Sequence, residues 1–217
     1  MAAGAVMDRN ALAGKLDLAE AVVRHEFTQF DAVDSEGGRA ACQDDWPTFH
    51  GQRLPQFLTW TVPLLESYGS DLAAADSAGR NLLTEKYARM MASTEPQRYA
   101  REIAPRLPAL GAERVAAQED VIATQVAWAR DFHARFPSLG AGMRVLRTEQ
   151  DSLAETSFET YLRGELGTYG PRTFALYQEL VAEVGRRGGN LTEQTVQLTV
   201  ALAGMGSLDE AEAAQAR

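Results

Sequence analysis

Between Asp17 and Trp46 the chain carries an apolar stripe at helical spacing with a glutamate inside it. Leu18, Val22, Val23, Phe27, Phe30 and Val33 recur so that, at roughly 100° per residue, they cover about half of a helix circumference. Glu26 falls near the middle of that arc, Gln29 lies beside it, and His25 sits at its rim. A carboxylate on the axis of an apolar face has to be paired, protonated or bound, because burying it alone costs more than a fold can absorb. A chain built on this helix therefore needs other elements that bring polar groups to meet Glu26.

The remaining elements read as helices too. Asp17 with Glu20 fits a capping box for the first helix, Leu18 to Val33, with residues 1–14 a flexible, frayed start. After a polar loop holding Gly37 and Gly38, Asp44 or Asp45 caps a second helix with Trp46 and Pro47 in its first turn. That helix carries Phe49, Arg53, Phe57 and Trp60, and Pro55 is expected to kink or split it. Further helical segments run from Leu64 to about Ala78, along Asn81 to Met91, and from Ala112 to Phe136, the last stopping at Pro137. Pro96, Pro105 and Pro108 make 95–111 the least regular stretch. Met143 to Asp151 suits a short strand or extended segment, and Thr156–Tyr169, Arg172–Val184 and Glu193–Ala203 are three more helices. β-branched alternation is almost absent. The expectation is an all-α multi-helix bundle, one helical domain over 15–207, with 208–217 a loose tail.

The test that singles out Glu26 finds other polar residues on apolar faces. Gln118 and Gln125 project from the centre of the arc on the Ala112–Phe136 helix, and Glu165 points among Phe158, Tyr161, Leu162, Leu166 and Tyr169. Lys86 lies just inside the arc set by Leu82, Leu83, Tyr87 and Met90, with Glu85 and Arg89 on its flank. The helix from Arg172 to Val184, with Phe174, Tyr177, Leu180, Val181 and Val184 inward, contains no such intruder. Interior charges scattered through a bundle would sum to a prohibitive penalty, whereas one shared polar pocket between helices would satisfy them together. The plain alternative for each is structural: an ion pair for Glu26 and Glu165, a helix–helix clip for the glutamines, a cap for Asp45.

Composition removes several function classes. A formal net charge of -9 with no Lys/Arg stripe argues against a nucleic-acid partner. No apolar run approaches the ~18 residues of a membrane span, and the first residues lack the pattern of a signal peptide. A lone cysteine, Cys42, rules out an internal disulfide and suits a reducing, cytoplasmic setting. His25-Glu26 opens like a zinc helix, but Gln29 stands where the second histidine belongs. Phosphate-loop, dinucleotide and Gly-x-Ser-x-Gly signatures are missing as well.

Acid–base work on a small-molecule substrate remains. Two buried carboxylates can be driven to different pKa values, one serving as acid and one as base. On this reading Glu26 and Glu165 are catalytic, with His25 and Lys86 assisting, in a lyase or hydrolase whose cofactor the sequence leaves open between none and a divalent metal. Gln29, Asp45, Trp46, Tyr87, Arg89, Gln118, Gln125 and Tyr161 orient or wall the substrate. A rival takes His25, Glu26, Glu85 and Glu165 as ligands of a divalent iron or manganese ion in an oxidase or oxygenase. A third reading is a non-catalytic ligand-binding or partner module.

The runs HEFTQFDAV, GGRAACQDDWPTFH, QFLTW, NLLTEKYARMM, QVAWARDF, GAGMRVLRTEQD, TSFETYLRGELGTY and NLTEQTVQLTVALAG resemble a bacterial domain-of-unknown-function family, the one numbered four-one-two-five. The resemblance covers nearly the whole chain. It implies a helical bacterial domain, sometimes joined to a nucleotidyltransferase-like domain, and it assigns no catalytic roles.

Overall fold

Apolar positions at three- and four-residue intervals wind the described residues into eleven α-helices, with no strand among them. The computed structural model describes residues 9–34, 38–152 and 155–216. The helices are α1 (Arg9–Asp31), α2 (Trp46–Leu58), α3 (Val62–Ser77), α4 (Leu82–Thr94), α5 (Pro96–Arg98) and α6 (Ala112–Arg135), followed by α7 (Pro137–Ala141), α8 (Phe158–Leu166), α9 (Pro171–Arg186), α10 (Leu191–Leu202) and α11 (Leu208–Gln215).

α1 packs against α2, α3 and α4; α8 lies between α4 and α6; α10 closes over α2 and α6; α9 covers α3. The main core gathers Val22, Val23, Phe57, Trp60, Leu64, Leu65, Tyr68, Leu72, Ile122, Leu166, Tyr169 and Tyr177. Aromatic rings interlock at its centre, with Trp60 set edge-on to Phe57, Tyr68, Tyr169 and Tyr177 at 4.8–5.8 Å. A second cluster of Phe132, Leu139, Val200, Leu208 and Ala211 joins α6, α7, α10 and α11.

Several local expectations change. The first helix does not start at a capping box on Asp17: helix already runs from Arg9, so Asp17 and Glu20 are interior positions. The Ala/Leu/Lys-rich stretch before Asp17 has the propensity to continue the helix, and Lys15 anchors it by donating from Nζ to the Leu58 carbonyl at 2.7 Å. Of the stretch expected to be frayed, residues 1–8 lie outside the described residues. Gly37 of the following loop does too.

Asp45, not Asp44, caps α2, accepting from the Thr48 amide at 3.0 Å and the Thr48 hydroxyl at 2.6 Å. α2 runs through Pro55 without dividing. The carbonyl that Pro55 leaves without a partner belongs to Gly51, which is exposed, so water can satisfy it. The long helix does stop before Pro137, at Arg135, and Pro137 then opens a new short helix, because proline at the first helical position loses no needed donor. Met143–Asp151 is irregular, with a 3-10 turn at Thr148–Gln150. The C-terminal segment expected to be loose is α11: Ser207 caps it and Leu208 and Ala211 are buried against α7.

One glycine sets how closely two site-bearing helices meet. A Cβ on Gly164 of α8 would lie 2.8 Å from the Lys86 carbonyl and 2.8 Å from Met90 Cγ on α4. Alanine in a helix interior ordinarily stabilises by about 0.5–1 kcal/mol relative to glycine. Here the backbone contact dominates, and Gly164→Ala is expected to cost about 1–3 kcal/mol in urea unfolding. A neutral or stabilising result would mean that α4 and α8 can separate freely.

Candidate functional site

Five helices deliver side chains to one buried ion network. Glu26 of α1, Arg53 of α2, Lys86 of α4 and Glu165 of α8 are each at most 5% exposed. Arg53 grips Glu26 with two bonds, Nε to Oε2 at 2.6 Å and Nη2 to Oε1 at 2.7 Å. The same guanidinium reaches Glu165 at 3.2 and 3.3 Å, and Lys86 Nζ donates to Glu165 Oε2 at 2.7 Å. Tyr68 of α3 donates to Glu26 at 2.9 Å, Tyr169 to Glu165 at 2.8 Å, and Gln56 Nε2 to Glu165 at 2.9 Å. Gln56 also accepts from Arg53 Nη1 at 2.6 Å.

Two carboxylates against one guanidinium and one ammonium leave no net charge, which makes their joint burial tolerable. Burial acts to raise the Glu165 carboxyl, but the Arg53 and Lys86 charges outweigh it and hold the group well below its usual range. Burial likewise acts to lower the Lys86 ammonium, and Glu165 reverses this, raising it. Tyr68 and Tyr169 are pushed well above the usual phenol value by burial and by the carboxylates, so both remain hydrogen-bond donors. Lys86 also lies 3.7 Å from the centre of the Tyr161 ring, a cation–π contact that helps replace its lost hydration.

One side of the network opens onto a cavity of about 440 Å³ between α2, α6, α8, α10 and the 142–146 segment. Arg53, Gln56 and Glu165 form its floor, Trp60, Phe158, Leu162, Leu191 and Val196 give it apolar walls, and Gln125, His133, Arg144, Tyr161 and Thr195 add polar groups. His133 has a buried Nε2 without a hydrogen-bond partner, and burial lowers its pKa, so the ring is uncharged near neutrality. A second opening, of about 680 Å³, lies between α3, α6, α9 and residues 108–111, and it meets the network only at Tyr169.

Over residues 16–213 the sequence matches the family model described as Protein of unknown function (DUF4125). The chain belongs to that family. No curated protein and no solved structure matches it.

In this DUF4125 chain the inward-pointing residues separate into two groups. Glu26, Lys86, Glu165, Gln118 and Gln125 are all buried, as their helical angles require. Glu26, Lys86 and Glu165 meet in the network, and Tyr161 packs on Lys86. Gln125 lines the cavity and pairs with the Tyr177 hydroxyl at 2.9 Å. Gln118 stays apart, accepting from Arg114 at 3.2 Å.

The others do not converge. His25 bonds Asp76 at the half-exposed rim, 2.5 Å away. Gln29 is a helix clip, donating to Asp76 and the Leu72 carbonyl and accepting from the Leu82 amide. Trp46 packs on Phe27 and His50 with Arg24 over its ring, and Asp45 is spent as the α2 cap. Tyr87 packs on Phe30, its hydroxyl pushed up to about 12 by burial. Arg89 donates to the Pro108 carbonyl, and Glu85 pairs with Arg80. The proposed metal ligands therefore do not assemble: His25 and Glu85 have partners elsewhere, and Glu26 and Glu165 share an arginine. Among the described residues no three His, Cys, Asp or Glu side chains group as a donor set.

Arg53, Gln56, Tyr68, His133, Arg144 and Tyr169 were not among the residues singled out from sequence. Arg53 was within reach, because Phe49, Arg53 and Phe57 share one face of α2 at four-residue spacing. The same angular test that exposes Glu26 would have found its partner. His133 was within reach by the same test, since it follows Val126 and Ala129 at seven- and four-residue spacing on the apolar face of α6, whereas Arg144 lies in an irregular segment and carries no comparable signal.

Proposed function

We propose that the chain binds a small polar molecule in the 440 Å³ cavity and that the buried ion network is the rigid floor of that site. The observation that carries this reading is the meeting of a preformed cavity with a buried, densely hydrogen-bonded ion network. An apolar-walled cleft with a few convergent polar groups is the usual form of a small-molecule site. Holding Arg53, Gln56 and Glu165 in fixed orientations removes the ordering cost from the moment of binding.

The same contacts weigh against Glu26 and Glu165 as proton carriers. Glu165 Oε1 accepts from Arg53, Gln56 and Tyr169 while Oε2 accepts from Arg53 and Lys86. A proton on this group would displace donors that favour the anion, and a strongly depressed carboxyl is a weak base near neutrality. Acid–base turnover of the lyase or hydrolase kind is the second reading, and His133 favours it as a titratable group among the residues that line the cavity. A cytoplasmic setting fits the single free, exposed Cys42. No helix among the described residues is long and apolar enough to cross a membrane.

Filling the cavity tests the proposal. Thr195→Trp on α10 places an indole in the opening without touching the network. In a ligand-observed NMR screen of small polar molecules, the native chain is expected to yield hits that this variant loses while keeping its unfolding midpoint. Hits that bind both forms equally, or no hits at all, would refute the site.

A further inference from the structure

We propose that the occupant of the cavity is a small organic acid, with its acidic group held by Arg144 at the opening and its apolar body lying between α8 and α10. This rests on the cavity being the ligand site. The charge of the wall decides the class. Glu165 is the sole carboxylate among the described residues lining the cavity, and it is already bound by Arg53 and Lys86. With Glu26 behind Arg53, those four charges cancel. Arg144 is left over, a net positive charge in the wall of a chain whose formal charge is -9.

Arg144 makes no ion pair among the described residues. It spends Nη1 on Thr156, on the carbonyl at 3.0 Å and the hydroxyl at 3.3 Å, and its guanidinium lies 4.7 Å from the centre of the Tyr161 ring. The adjacent carboxylates are committed elsewhere: Glu155 accepts from the Val145 amide, and Glu149 and Glu159 pair with Arg147. Nε and Nη2, the edge of the guanidinium that takes a carboxylate through two parallel bonds, remain for a ligand. Stacking on Tyr161 orients that edge before binding, so little side-chain freedom is lost when an acid arrives. Phe158, Leu162, Leu191 and Val196 offer the acid's body an apolar wall, and uncharged His133 adds no competing charge.

The test is a panel of carboxylic acids and their primary amides, matched in pairs with phenyl, indolyl, cyclohexyl and short alkyl bodies. Binding is measured by NMR titration of the full chain, Arg144→Gln and Thr195→Trp. Acids are expected to bind at least about tenfold more tightly than their amides, the effect of one charge-assisted hydrogen bond. Arg144→Gln should abolish that preference while amide binding persists, and Thr195→Trp should abolish binding of both. Amides that bind as well as acids, or an acid preference that survives Arg144→Gln, overturn the organic-acid assignment and leave the cavity reading standing. A panel in which no member binds in a Thr195→Trp-sensitive way overturns both.

Discussion

Arg53→Met is expected to lower the unfolding free energy by about 3–5 kcal/mol, because it strands two carboxylates in the interior. Methionine matches much of the arginine's length, so the loss is not chiefly a cavity effect. Arg53 supplies four bonds to Glu26 and Glu165, leaving Glu26 with Tyr68 and Glu165 with Lys86, Gln56 and Tyr169. A domain whose whole stability is about 5–15 kcal/mol would lose a large part of it. Urea unfolding followed by tryptophan fluorescence is well placed, since Trp60 packs in the adjacent aromatic cluster. Adding Glu26→Gln to the same background should recover a substantial share, because the remaining Glu165 still pairs with Lys86, no net charge is left buried, and the two substituted sites are strongly coupled. A loss below about 1 kcal/mol, or a double variant less stable than Arg53→Met, would show that these carboxylates find other partners.

The second large effect is on acid stability. Glu165 has a reference value of 4.5 and is held well below it in the folded chain. Below pH 4.5 the unfolded state takes up a proton there while the native state does not, so stability falls as pH falls. The contribution is complete above 4.5 and is lost on the way down to the folded value, steepening the acid limb by up to about 1.4 kcal/mol per pH unit. Lys86 has the opposite sign. Its pKa is raised above 10.5, so its contribution is present below that pH and disappears as pH rises through the folded value. Glu165→Gln should therefore cost several kcal/mol at pH 7, by leaving Lys86 under-compensated, and should flatten the acid limb. The comparison is one of pH series of unfolding free energies. An acid limb equally steep in the variant would assign the acid sensitivity to other carboxylates, such as Asp151 and Glu159, which are also lowered.

Such a network is not the cheapest way to fill a core. Well-packed apolar residues of similar volume are often as stable or more so. What it supplies is orientation: Arg53 can satisfy both glutamates only when α1, α2 and α8 sit in one relative register. α3, α4 and the turn after α8 are tied in through Tyr68, Lys86 and Tyr169. The cavity floor inherits that fixed geometry.

The amino-acid order by itself determined the helical class, most helix positions, and the burial of Glu26, Lys86, Gln118, Gln125 and Glu165. Those properties follow from a 3.6-residue period, which projects each side chain onto a known face whatever the neighbouring helices are. Partner choice lay beyond it, because an angular position says that a side chain points inward but not which helix it meets. Glu26 and Glu165 are 139 positions apart, and only the packing of α1 and α8 around α2 gives them a common arginine. The same packing left His25 at the rim with Asp76 and turned Gln29 and Asp45 into a clip and a cap. It also brought Arg144 and His133, from an irregular segment and the far end of α6, to one cavity wall. Periodicity is local and can be read along the chain, whereas a site is a set of distances across it, and those exist only once the helices have packed.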